Sequence, residues 1–323
     1  MAELSLQPPI KLHMEPPLNN PVMVAAWPGM GSVAIGAVGY LRHQLQATEF
    51  GEIEPYDFFE PSEVVVENSV TAPPRLPQTK FYFWKGRPRQ GDLLLVMGDS
   101  QPHARPYQYA NLIMDVAQRF GVRRLYTGAA APASLHHRER PKVLAVANEA
   151  KLLRYLKGFD LSLMESGQIS GMNGLLLGVA AEREVEGICL LGELPYYAVA
   201  LPCLRSSQVV LEVLLKMLGI QIDMAEMDTM AGRTEDEIDK IVATSEQMSR
   251  LVEQLRQPKP QSEPKARPSP EEQAQARERI ERLFAQAAQD RSKASELKAE
   301  LDRLGLFEEY EDRFLALFRK LQQ

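Results

Sequence analysis

The sequence predicts an α/β sandwich with a largely parallel sheet. Short apolar runs alternate with segments of helical periodicity between residues 22 and 221, which is typical of sheets whose strands are joined through helices. The unbroken apolar run from Leu93 to Met97 favours a strand that is covered on both faces. A chain of 323 residues, 45% of them hydrophobic, can bury the core that such a fold needs.

The strand predictions begin close to the N-terminus. Residues Val22 to Trp27 form a short apolar run that stops at Pro28, and a helix pattern follows from Val33 to about Leu45. Six later runs are also strand-like, at residues 64–66, 81–84, 93–97, 125–127, 143–146 and 188–191.

Two buried helices are predicted within the same region. The apolar positions from Leu112 to Phe120 follow helical spacing, and Gly121 then supplies a C-terminal stop. The second helix contains Val209 to Leu218, with its beginning predicted at Ser206 or Ser207 and its end at Gly219.

The C-terminal part of the sequence has a different character. Residues 226–255 are predicted to form an amphipathic helical segment, and within it Thr234 and Glu237 fit a capping box that would begin a helix. The Pro-rich residues 256–270 predict a semi-rigid linker. Three segments with apolar stripes predict a helical tail over residues 271–323, which is a C-terminal helical extension of the fold.

Composition narrows the class of protein. The net charge is −6 and no extended basic face is evident, which argues against nucleic acid as a partner. No apolar stretch is long enough to span a membrane. Residues 1–19 contain several Pro and lack the apolar run of a signal peptide, so we predict a partly ordered leader on a cytoplasmic protein. The spacing of Cys189 and Cys203 indicates neither a zinc site nor a redox pair.

Two glycine clusters are candidate ligand sites. Gly29, Met30 and Gly31 follow a strand and open a helix, as a dinucleotide fingerprint does, but a tight strand-to-helix turn explains them as well. The second cluster, residues 166–174 with Gly171 and Asn173, could direct amides at a phosphate or allow close helix packing. It has neither the Lys nor the spacing of a Walker loop.

Polar residues after the predicted strands are further candidates. Asp99 follows the run at 93–97 and Glu193 follows Leu191, and open α/β sheets bind ligands at such strand ends. His103 or His136 could lie nearby, although the adjacent His136 and His137 sit in an Arg-rich stretch typical of solvated side chains. The sequence lacks the common catalytic motifs. We therefore expect no catalytic residue, metal or cofactor. The candidate ligand-binding residues are Gly29, Met30, Gly31, Asp99, Gly171, Asn173 and Glu193.

Taken in order, these motifs resemble the proteasome assembly chaperone 2 family over about residues 20–225. The resemblance implies a three-layer α/β/α sandwich, similar in fold to nucleoside phosphorylases and related hydrolases. It also implies a homo-oligomer, with a trimer among the states to expect, and a chaperone role toward proteasome-type α subunits. The motifs that carry it are Ala26-Trp27-Pro28-Gly29-Met30-Gly31-Ser32-Val33, Gly98-Asp99-Ser100-Gln101-Pro102, Gly167-Gln168-Ile169-Ser170-Gly171-Met172-Asn173-Gly174 and Leu190-Leu191-Gly192-Glu193-Leu194-Pro195.

Three functions remain open on the sequence. The leading hypothesis is a non-enzymatic, chaperone-like homo-oligomer that binds an unidentified protein. The second is a phosphorylase- or hydrolase-like enzyme with a strand-end pocket near Gly29, Gly31, Asp99 and Glu193. The third is a scaffold assembled through the helix at 235–255 and the tail.

Overall fold

A computed structural model describes residues 9–61, 64–87, 90–244, 270–290, 293–304 and 306–319. The strands in chain order are β1 (Ile10–Leu12), β2 (Val22–Ala26), β3 (Thr48–Ile53), β4 (Val66–Glu67), β5 (Val70–Thr71), β6 (Thr79–Trp84), β7 (Leu93–Gly98), β8 (Arg124–Ala133), β9 (Val143–Ala147), β10 (Ser162–Leu163) and β11 (Glu186–Pro195). The helices are α1 (Val33–Gln44), α2 (Pro106–Arg119), α3 (Ala150–Leu156), α4 (Gly171–Glu182), α5 (Leu204–Leu218), α6 (Ala225–Thr244), α7 (Pro270–Gln289), α8 (Ala294–Leu304) and α9 (Phe307–Arg319).

The described strands form a nine-stranded sheet in the order β1-β3-β6-β7-β2-β8-β11-β9-β10. Its central strands β7, β2, β8 and β11 are parallel, whereas β1-β3, β3-β6, β6-β7 and β11-β9 are antiparallel. The outermost pair β9-β10 is again parallel. The expectation of a largely parallel sheet therefore holds for the centre, whereas the complete sheet is mixed. The connection over residues 85–92 between β6 and β7 is too short for a parallel crossover.

Helices cover both faces of the sheet and confirm the three-layer α/β/α prediction. Alternate residues of β2 divide between two cores, with Val24 and Ala26 in one and Met23 and Ala25 in the other. The first core contains the apolar faces of α1 and α5, and the second contains those of α2 and α4. This period-2 division is the expected consequence of a strand buried on both sides.

Two local expectations within the sandwich need correction. The apolar run at 64–66 contributes only Val66 to a strand, in the separate β4-β5 hairpin, where Val65 and Val66 are 53% and 61% exposed. Helix α5 begins at Leu204, so Ser206 lies inside it and donates its hydroxyl to the Glu193 carbonyl at 2.6 Å. Both predictions relied on a few neighbouring residues, and these do not show which distant parts of the chain the segment contacts.

Helix α6 begins at Ala225, ahead of the predicted capping box. The Asp223 carboxylate accepts a hydrogen bond from the Ala225 amide at 2.9 Å, whereas Thr234 lies within the helix and donates to the Ala231 carbonyl. Four acidic residues of α6 form ion pairs with arginines outside the helix. Arg205 Nε donates to Glu235 Oε1 at 2.7 Å.

The tail contains the predicted three helices, α7 to α9. Phe284, Leu301 and Phe314 are buried in the same core as α1 and α5. At the junction with the sheet, the rings of Phe307 and Tyr196 lie 5.4 Å apart. Residues 245–255 of the predicted 226–255 helix and residues 256–269 of the predicted 256–270 linker lie outside the described residues, as do residues 1–8 of the leader. Among the helices described, none has both the length and the apolar content for a membrane span.

Candidate functional site

The glycine motifs meet at the carboxyl end of β2, where Asn173 contacts the backbone of Trp27. Asn173 Oδ1 accepts a hydrogen bond from the Trp27 amide at 3.0 Å, and its Nδ2 donates to the Trp27 carbonyl at 3.2 Å. The Asn173 side chain is buried. It therefore satisfies both backbone groups of Trp27, as a neighbouring strand would.

Gln101 joins the other two motifs, although its sequence context did not mark it as a site residue. Its Nε2 donates to the Pro28 carbonyl at 2.6 Å, and its Oε1 accepts from the Met172 amide at 2.8 Å. Gly171 has a φ of +74°, and a Cβ there would lie 3.1 Å from the Gln101 amide atoms. The Met172 amide, in the first turn of α4 where a phosphate could have bound, is thus already bonded. We call the contacts of Asn173 and Gln101 the strand-end clasp.

Of the first glycine cluster, only Gly31 needs to be glycine. Its φ is +61°, and an added Cβ would lie 2.6 Å from Leu194 Cδ2. Its amide donates to the Val199 carbonyl and its carbonyl accepts from the Cys203 amide, both at 2.8 Å. Gly29 is exposed and extended, and a Cβ added there would meet no atom within 4 Å. The cluster is therefore a tight turn onto the segment after β11, and Met30 lies half-buried within it.

The two candidate acids have separate neighbours. Asp99 is exposed, and its Oδ2 accepts from the Gln78 amide at 3.2 Å. Glu193 lies on β11, where its Oε2 accepts from the Lys142 amide at 3.1 Å. Each carboxylate thus fixes a loop backbone, and the hydrogen bonds of the described residues do not join the two acids as an acid/base pair.

The cysteines of this region are poor nucleophiles. Burial raises the pKa of Cys189 to about 12 and that of Cys203 to about 12, so both remain thiols at neutral pH. An open groove of about 660 Å³ lies between α2 and α4, and its lining includes Gln101, Gly171 and Met172 as well as Tyr107 and Glu182. The strand ends thus carry a surface groove whose wall includes part of the strand-end clasp.

One of the histidines, His137, differs from the sequence expectation. The His137 side chain is only 2% exposed, so the expectation that it is solvated was wrong. Its Nδ1 lies 2.8 Å from the Tyr197 hydroxyl, and its Nε2 lies 2.7 Å from Asp239 Oδ1. His103, by contrast, is exposed beside Phe59. The potential ligand atoms of His136, His137 and Asp239 all lie within 4.8 Å of one another.

The protein is therefore a three-layer α/β/α sandwich in which the glycine motifs at the carboxyl ends of the strands bind one another. The chain belongs to the PAC2 family, whose family model matches residues 23–242. This match confirms the resemblance predicted from the motifs. The tail helices α7 to α9 lie beyond the matched region.

Similar proteins come from archaea and bacteria. An uncharacterized protein of Methanocaldococcus jannaschii, MJ1210, is 31% identical over 251 residues, which cover 76% of this chain and 91% of that protein. The structure of PbaB from Pyrococcus furiosus, described as an archaeal proteasome activator, is 30% identical with a TM-score of 0.63. The match covers 72% of this chain and 97% of PbaB.

A second Pyrococcus furiosus structure is similar in fold. PbaA, described as an archaeal homolog of proteasome-assembly chaperone, is 21% identical with a TM-score of 0.57, and the match covers 72% of this chain and 96% of PbaA. The similarity covers nearly all of these neighbours and leaves more than a quarter of this chain outside it.

Proposed function

We propose that this protein is a non-enzymatic, chaperone-like homo-oligomer of the cytoplasm that binds proteasome-type α subunits. The observation that carries the proposal is the strand-end clasp, because it uses the motif residues to hold the fold rather than to hold a small molecule. Membership of the PAC2 family and the descriptions of PbaB and PbaA support a proteasome subunit as the partner.

The same geometry disfavours the phosphorylase- or hydrolase-like alternative. An anion at the start of α4 would have to displace Gln101 from the Met172 amide. A general acid and base must reach the same reacting group, but Asp99 and Glu193 bind Gln78 and Lys142 respectively. The seven residues proposed from the sequence as ligand-binding thus have structural partners or, like Gly29, an exposed backbone.

The outward face of α6 is the surface we propose for partner contact. Glu226, Met230 and Glu237 are exposed along this face, and Met230 is 40% exposed. The other acids of the helix are engaged by the core, since Asp228 pairs with Arg205 and Asp236 pairs with Arg138. Glu226 and Glu237 are therefore available to a basic partner surface, which would steer association.

Sedimentation velocity of the full chain tests this proposal. We expect the chain alone to sediment as an oligomer and to form a complex with purified proteasome-type α subunits from the same organism. The paired change Glu226→Lys and Glu237→Lys should weaken the complex. Asp57→Lys with Glu60→Lys, at exposed positions away from α6, serves as the matched control.

Two outcomes would overturn the proposal. The first is the absence of any complex with α subunits at concentrations where the chain is oligomeric. The second is binding only to fully assembled proteasomes, which would replace the chaperone role with an activator role. Equal weakening by the control pair would reject α6 as the contact surface.

A further inference from the structure

Two histidines and an aspartate converge between the loop after β8 and helix α6. His136 and His137 are adjacent in the loop, and their rings lie 4.1 Å apart with an interplanar angle of 36°. Asp239 reaches them from α6, so that one donor atom from each residue lies within 4.8 Å of the other two. Two imidazoles and one carboxylate form a donor set that suits borderline divalent cations such as Zn²⁺.

The surroundings of His137 orient its ring as a metal ligand. The Tyr197 hydroxyl oxygen lies 2.8 Å from Nδ1 and also accepts a hydrogen bond from the His137 amide at 3.0 Å. This leaves Nε2 directed at Asp239, 2.7 Å from Oδ1. A hydrogen bond on the second ring nitrogen is the usual way in which proteins fix the tautomer and direction of a ligating histidine.

The local charge is compatible with a cation. Arg138 donates from Nε to Asp239 Oδ2 at 2.7 Å, whereas His137 contacts the other carboxylate oxygen, Oδ1. It also pairs with Asp236 Oδ1 at 2.6 Å. Glu139 adds a further carboxylate, whose Oε1 accepts from the His136 amide at 3.3 Å. Carboxylates therefore outnumber guanidinium groups around the three donors.

We propose that His136, His137 and Asp239 form a binding site for a divalent cation of the Zn²⁺ class. On metal binding the single ring proton of His137 moves by way of solvent from Nε2 to Nδ1, where it is donated to the Tyr197 oxygen, and an Nε2–metal bond takes the place of the Nε2–H bond. The carboxylate and the His136 ring supply two more ligands, and water completes the coordination. Because the donors come from two elements, the cation fastens α6 to the loop after β8.

Isothermal titration calorimetry with ZnCl₂ on the untagged, chelator-treated full chain tests the site. We expect one saturable site per chain and a higher melting temperature with Zn²⁺, since a ligand that binds only the folded state stabilises it. His136→Ala and Asp239→Asn should each weaken Zn²⁺ binding at least tenfold, a loss comparable to that caused by changes in outer-shell partners. His43→Ala, at an exposed position on α1, should leave binding unchanged.

Melting of each variant without metal separates loss of the site from loss of the fold. Asp239→Asn keeps a side-chain oxygen toward His137 and is the more conservative of the two changes. The absence of saturable Zn²⁺ binding would overturn the proposal. So would equal affinity in the parent chain and both site variants, or loss of binding in His43→Ala instead.

Discussion

Asn173 and Trp27 are joined by two hydrogen bonds at the carboxyl end of β2. The Trp27 amide donates to Oδ1 at 3.0 Å, and Nδ2 donates to the Trp27 carbonyl at 3.2 Å. Asn173 belongs to α4 and Trp27 directly follows β2, so this pair fixes the start of a helix to the end of a central strand. Asn173, which the sequence suggested as a ligand-binding residue, thus instead satisfies the backbone hydrogen-bonding groups of Trp27.

Asn173→Ala should lower the free energy of unfolding by about 2–4 kcal/mol, because it leaves two buried backbone groups of Trp27 unpaired. Urea denaturation followed by circular dichroism measures this loss. Asn111→Ala is the matched control, since its hydrogen bonds are exposed to solvent and should matter little. A loss no larger than that of the control would show that the strand-end clasp does not support the fold.

Gly31→Ala should also destabilise the protein, by about 2–4 kcal/mol, because alanine is strained at a positive φ and overpacks the turn. The structure places the added Cβ 2.6 Å from Leu194 Cδ2. Gly29→Ala is the control because that backbone is extended and its surroundings are open. Thermal denaturation compares the two, and equal melting temperatures would refute the argument that Gly31 alone requires glycine.

Stability should depend on the ionisation of Asp92. Burial by itself raises the pKa of Asp92, but hydrogen bonds from Lys85 and from the Asn19 and Gly86 amides outweigh it and hold the pKa below its ordinary value of 3.8. The unfolded chain therefore binds a proton more readily than the folded chain, and this contribution to stability is lost as the pH falls below about 3.8.

The free energy of unfolding should thus fall with decreasing pH in that window, and Asp92→Asn should make the fall less steep. Urea titrations at a series of acidic pH values measure the slope. Asp57→Asn, at an exposed position, is the control. If the slopes for Asp92→Asn and the parent chain coincide, the proposed proton linkage at Asp92 is wrong.

Tyr196 should control the docking of the tail. Lys298 Nζ lies 4.4 Å from the centre of the Tyr196 ring and 3.8 Å from that of Phe307, and a cation–π contact of this kind contributes about 1–2 kcal/mol. Tyr196→Ala should therefore accelerate amide hydrogen exchange in α8 and α9 roughly 5- to 30-fold. Tyr56→Ala, where the side chain is 76% exposed, should not. Unchanged exchange in the tail would mean that other contacts hold it.

Elements with strong periodicity were predictable from the sequence. Local sequence patterns were sufficient to predict β2, β7 and the end of α5 at Gly219, because each of these features is determined by neighbouring residues. The length of β8 was not predictable, because Gly128 and the small residues after it have weak strand propensity and are held by pairing with β11. Long-range pairing decided that element.

The site was less predictable than the fold. The sequence selected Gly31, Gly171 and Asn173, and the structure brings these motifs together, but Gln101 was missed because its two partners, Pro28 and Met172, are more than 70 residues away in the sequence. His137 was assigned to solvent from its polar neighbours. Its burial depends on Tyr197 and Asp239, which no local pattern connects to it.

The rate at which purified proteasome α and β subunits assemble into complete particles, followed by native mass spectrometry, tests the central claim most directly. We expect the full chain to accelerate assembly, and the Asp99→Asn, Glu193→Gln double variant to accelerate it equally, since those carboxylates only fix loop backbones. An assembly rate unchanged at saturating concentrations of the chain would contradict the account, as would acceleration that disappears in the double variant.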